Sequence, residues 1–146
     1  MDITDKSLLD FQKEWEKLVD KANYDYGSLS AGERIWFNIE ILISSVDNGG
    51  LINHYYNSGA DRNAETIEDL QTLGFPNICD LLNKINSWFP NGYPSRDIQE
   101  RNKVILNWQE GEYDELLELY DKELCSIEKD IQRKLIQHIE TQVLTK

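Results

Sequence analysis

Ser30-Ala31-Gly32-Glu33-Arg34-Ile35-Trp36-Phe37-Asn38-Ile39-Glu40-Ile41-Leu42-Ile43-Ser44-Ser45-Val46-Asp47-Asn48-Gly49-Gly50 spells out a helix together with both of its ends. Ser30 and Glu33 have the spacing of a capping box, in which the serine oxygen takes the Glu33 amide and the glutamate reaches back. Ile35, Trp36, Ile39, Leu42, Ile43 and Val46 then recur at three and four residues, which predicts a wide apolar stripe. Asn48-Gly49-Gly50 stops the helix near Asp47, with Gly49 or Gly50 at positive φ. Phe37 and Ile41 give this helix a second apolar face. Either a homodimer partner or another helix of the chain must cover it.

The same periodicity runs outward in both directions. Leu8, Phe11, Trp15, Leu18 and Ala22 predict a first helix over residues 5–22. Beyond Gly50, a short helix over 51–57 is followed by one over 63–73, which Gly74 closes. Pro76 suits the first turn of the next helix, which ends near Trp88. Phe89-Pro90-Asn91-Gly92-Tyr93-Pro94 breaks the chain. Ser95 caps a helix to about Trp108, and Gly111 interrupts again. From Glu112 to about Val143 the pattern is helical in two pieces. The apolar stripe slips phase there, which predicts a bend near Cys125-Ser126. No stretch alternates as a strand would. The fold class is all-α: residues 1–146 form a single-domain compact bundle of about seven to eight helices.

Composition narrows the function. The 146 residues are 40% hydrophobic with four Trp and seven Tyr, enough for a core without disulfides or metals. Cys79 and Cys125 lack CxxC spacing and read as free thiols of a reducing compartment. The N-terminus has no signal-peptide pattern, and no apolar run approaches the ~18 residues of a membrane span. The expected location is the cytoplasm, with no membrane contact. A net charge of −12 argues against direct nucleic-acid binding, which needs a basic footprint, and favours a basic protein partner.

That charge is concentrated. Residues 110–130 carry nine acids against two bases. On one continuous helix, Asp114, Glu115, Glu118, Asp121 and Glu128 share an outward flank, while Glu112, Glu123 and Asp130 take the other. Nine carboxylates along ~31 Å of helix give about one per 3.5 Å, near the ~3.4 Å per-strand phosphate spacing of DNA. The same pattern also fits the solvated face of an acidic protein.

Signals for catalysis are missing. His54 and His138 are isolated, with no metal-ligand spacing, and each fits a structural histidine. No GxSxG, HExxH or phosphate-binding glycine pattern occurs. No enzyme, cofactor or metal is expected. Arg96, Asp97 and Arg101 cluster at one helix start, where Asp97 suits the helix dipole.

Several elements between Glu33 and Arg101 occur together in order. They are Glu33-Arg34, Asn48-Gly49-Gly50, Tyr55-Tyr56-Asn57-Ser58-Gly59, Gly74, Phe89-Pro90, Pro94, Arg96-Asp97 and Arg101. This set, covering about the middle half of the chain, resembles a bacterial family of acidic, all-helical DNA-mimic proteins, most of unknown function. The family tends to carry Gln then Tyr where this chain has Asn53 and His54. The resemblance implies a regulator that occupies the basic DNA-binding surface of a transcription factor or other DNA-associated protein. It also marks Asn48, Gly49, Gly50, Asn57, Arg96 and Arg101 as family-motif positions. Two alternatives stand beside it: an immunity or antitoxin-like inhibitor of a basic toxin, and a small-ligand or enzymatic pocket around Asn48, His54, Tyr55, Asn57 and Arg96.

Overall fold

A computed structural model describes residues 6–144. Seven α-helices and several short helical turns make up the described residues, which contain no strand. After a 3-10 turn at Leu8–Phe11 come α1 (Gln12–Asp25), α2 (Ala31–Gly49), α3 (Leu51–Tyr56), α4 (Asn63–Leu73), α5 (Pro76–Asn86), α6 (Ile98–Leu106) and α7 (Asp114–His138).

The α2 helix is the hub, packed against α1, α3, α4 and α7. Its start is the expected capping box: Glu33 N–H donates to Ser30 Oγ at 3.1 Å, and Ser30 N–H donates to Glu33 Oε1 at 2.9 Å. All six stripe residues are buried, with Ile39 wholly inaccessible. The second face is partly covered from within the chain. Phe37 stacks on Trp15 at 5.9 Å and meets Tyr26 edge-on at 6.1 Å. Ile41 lies under the turn at Gly59, whose missing Cβ leaves it room. Phe37 and Ile41 are thus each covered in part by the chain itself, and both stay partly accessible.

Three boundaries differ from expectation for identifiable reasons. The first helix begins as a tight 3-10 turn and reaches Asp25; residue 5 lies outside the described residues. The α6 helix is capped by Asp97, whose Oδ1 accepts from Gln99 N–H at 2.9 Å, while Ser95 Oγ accepts from Asp97 N–H one step earlier. The α7 helix runs unbroken through Cys125-Ser126. Its phase slip is absorbed at the far end, where Ile139–Val143 widens into a π-turn closed by Leu144 N–H to Ile139 O at 2.9 Å. With more residues per turn, apolar positions four apart fall back into register.

The helix stop is tighter than an ordinary glycine cap. Gly50 has φ +81° and ψ −179°, a region essentially closed to side chains. A Cβ there would lie 2.6 Å from Asp121 Oδ2 on α7. Gly74 also has positive φ, yet nothing lies within 4 Å of its Cβ position. Gly50→Ala is expected to lower stability by ~3 kcal/mol in urea unfolding, from backbone strain plus the clash. Gly74→Ala is expected to cost only ~1 kcal/mol. Equal costs would show that Asp121 does not press on Gly50.

Candidate functional site

The acidic segment divides in two when folded. Asp114, Glu115 and Glu118 are exposed on the first turns of α7, as expected. Asp121 and Glu128 are not. They lie seven residues apart, on a line bordering the buried stripe of Leu124 and Ile131, and both are only partly accessible. Asp121 Oδ1 accepts from Leu51 N–H at 2.8 Å, satisfying an otherwise orphaned donor at the start of α3. Glu128 faces Asp47 at the end of α2. Partial burial, then a shared hydrogen bond and the charge of Asp47, push the Glu128 carboxyl up to about 7. The five-carboxylate outward face expected from the helical pattern thus becomes three residues. A wheel drawn for one helix cannot show that α2 and α3 meet along its flank.

Glu110 and Glu112 join the remaining three from the connection before α7. That connection turns at Gly111, φ +74°, and Glu112 Oε1 accepts from Gln109 N–H at 3.1 Å. From Val104 to Asp121 the chain carries six acids and no base. Among the described residues, Glu110, Glu112, Asp114 and Glu115 form no ion pair, and Glu118 meets only the exposed Lys122 at 3.3 Å, a contact of little energetic weight. The far half of α7 bears Lys129, Arg133 and Lys134. Negative charge is gathered at the α7 N-terminus rather than spread along a 21-residue ruler. Acids there suit the helix dipole, but that effect involves only about half a unit of positive charge, and five carboxylates exceed it.

The family-motif positions play a different part. Arg101 is fully buried. Its Nε donates to Tyr55 O at 3.0 Å, Nη2 to Asn57 O at 2.8 Å and Nη1 to Ser95 O at 2.8 Å. Asp61 Oδ1 lies 2.8 Å from Nη1 as a charge contact, off the line of the N–H. Arg96 reaches Asp61 O at 3.0 Å and Glu65. Asn57 Nδ2 turns back to Asn53 O at 2.7 Å. Gly50 is the helix stop, and Asn48 and Gly49 are exposed at its edge. Asn48, Asn57 and Arg96 lie on the surface, whereas His54 and Tyr55 are wholly interior. The structure does not bring those five together as one exposed set of reactive groups.

Sequence reasoning missed the polar interior. His54 Nε2 donates to Asn63 Oδ1 at 3.3 Å, Asn63 Nδ2 to Asn86 Oδ1 at 2.7 Å, and Tyr55 Oη to the same Asn86 oxygen at 2.7 Å. Burial lowers the His54 pKa to about 4, keeping the ring neutral. Asp69 is buried between Arg34, at 2.7 Å, and Asn38, at 2.9 Å. His138 is structural too, its Nε2 2.9 Å from Gly32 O. The only local sign was polar residues at inward helical positions, such as Asn38 inside the α2 stripe.

A family model described as DMP19-like protein matches residues 27–142. The chain belongs to that family, the DNA-mimic family that the Glu33–Arg101 motifs resemble. No curated protein and no solved structure matches the chain.

The Asp47–Glu128 contact predicts a pH signature. The folded Glu128 pKa, about 7, lies above its ordinary 4.5. Its stabilising contribution is therefore full below about pH 4.5 and is lost as pH rises through about 7. His54 acts oppositely: its contribution is present above about pH 6.5 and lost as pH falls through about 4. Glu128→Gln is expected to be more stable than the parent at about pH 8. Its denaturation midpoint should also cease to fall between about pH 4.5 and 7. A variant with the parent's pH profile would show that the pair does not share a proton.

Proposed function

We propose that this member of the DMP19-like family is a protein-binding DNA mimic. Its acidic surface would occupy the basic DNA-binding surface of a transcription factor or other DNA-associated protein. The observation that carries this reading is the cluster of exposed carboxylates at Glu110, Glu112, Asp114, Glu115 and Glu118. No base lies between Val104 and Asp121. Like charges held together on a folded surface repel one another, and a basic partner relieves that repulsion. Such a field raises the rate of encounter with a positive surface and opposes contact with nucleic acid itself. Asp121 and Glu128 stand outside the docking surface, because Asp121 caps α3 and Glu128 pairs with Asp47.

The experiment begins with capture of basic partners on the immobilised chain at low salt, identified by mass spectrometry. Binding is then compared between the parent and Asp114→Lys/Glu115→Lys/Glu118→Lys. The triple reversal removes no apolar contact and is expected to leave the thermal midpoint within a few degrees of the parent. It should weaken binding by at least about tenfold and flatten the dependence of affinity on salt. The parent, and not the variant, should release DNA from the captured partner. Unaltered affinity and salt slope in the variant would remove this surface from the mechanism.

A further inference from the structure

Beside these carboxylates lies a cleft of about 440 Å3 between the end of α3, the end of α6 and the connection into α7. That volume falls within the ~300–1,000 Å3 of small-ligand sites. Tyr56, Trp108 and Tyr113 supply aromatic wall, and Glu110, Glu112 and Asp114 supply carboxylates. No basic side chain lines the cleft. We propose that it receives an arginine side chain of the basic partner, whose guanidinium lies against the aromatic wall and meets the carboxylates at the rim. This rests on the docking reading above and adds to it a specific anchor and a preference for one cationic residue.

The walls are already braced. Tyr113 stacks on Trp88 with centroids 4.0 Å apart and planes within 7°. Trp108 stands edge-on to Tyr113 at 4.9 Å, to Phe89 at 5.3 Å and to Trp88 at 6.0 Å. Phe89 is buried in turn against Tyr55, at 5.5 Å. A wall held this way loses little side-chain freedom on binding. Exposed Leu106, 76% accessible, extends the apolar lining outward and can cover the methylene stem of a long cation. Glu110, Glu112 and Asp114 have no ion pair among the described residues, so none need be broken when a cation enters.

The chemistry distinguishes arginine from lysine. A guanidinium is flat, stacks on aromatic faces and donates to carboxylates in pairs. An ammonium is a compact, strongly hydrated charge that gains less from a flat wall. A surface of evenly spaced carboxylates would treat the two nearly alike, whereas a cleft of stacked rings and acids would not.

The test uses the isotope-labelled full chain at low salt, titrated with capped hexaarginine and, separately, capped hexalysine. Backbone amides and the tryptophan indole N–H signals are followed by NMR. Hexaarginine is expected to bind about fivefold more tightly than hexalysine and to move the Trp108 indole signal, leaving that of Trp15 in place. Glu110→Gln/Asp114→Asn, whose spectrum reports its own fold, should bring the ratio of the two affinities close to one. Equal affinities, or a Trp108 signal that stays still while amides at Glu115 and Glu118 shift, would overturn the arginine cleft and leave electrostatic docking standing. Failure of both peptides to bind would overturn both.

Discussion

A single buried guanidinium organises one side of this molecule. Arg101 gathers the carbonyls of Tyr55, Asn57 and Ser95 and the carboxylate of Asp61 around one side chain that water does not reach. The carbonyls of Tyr55 and Ser95 sit at a helix end and in a turn, short of intrahelical donors, while that of Asn57 also accepts from Ala60 N–H at 3.2 Å. An uncompensated charge in such a place costs several kcal/mol, and so would the orphaned acceptors if the charge were removed. The arginine and the turns around it are therefore mutually obligatory. The end of α3, the 3-10 turn Ser58–Arg62 and the start of α6 are fixed relative to each other by electrostatics as much as by apolar packing.

The consequences reach the acidic surface. Because α3 is held by Arg101 at its end and by Asp121 at its start, α7 must lie close along it, and Gly50 must have no side chain. That placement consumes Asp121 and Glu128. It also sets the aromatic layer of Trp88, Trp108, Tyr113 and Tyr120 under the α7 N-terminus. The exposed carboxylates thus stand on a rigid base. Electrostatic recognition benefits from this, since charges already in position need no ordering on contact. The conformationally special residues of the family motif serve the scaffold, and, Tyr56 apart, the residues proposed to meet a partner lie outside that motif.

Helix number, type and core stripe were legible because α2, α4, α5 and α7 bury one face each, and a period of 3.6 residues reports this directly. Ser30-Glu33 and Gly50 were legible because capping depends on a few adjacent residues. The role of Arg101 was not, since its four partners come from three separate stretches and no local pattern links Arg101 to Asn57. The same holds for Asp121: its carboxylate looks outward on a wheel of α7 alone and is inward once α3 arrives. The 110–118 cluster was visible as a run of charge, but the cleft beside it depends on Tyr56 and Trp108, which belong to other segments. Trp108 looked like the last residue of a helix that in fact ends at Leu106, so nothing marked it as a cleft wall.

In the proposed mode of docking, the acidic cluster meets the partner while the Asn48–Gly59 turns hold the fold. Hydrogen–deuterium exchange of the full chain, free and bound to a basic protein captured at low salt, measures this directly. Docking at the cluster predicts slowed exchange across residues 106–119 and unchanged exchange across 48–59, which is already held by Asp121 and Arg101. Slowed exchange confined to 48–59, with 106–119 unaffected, would contradict it and would place recognition on the turns instead.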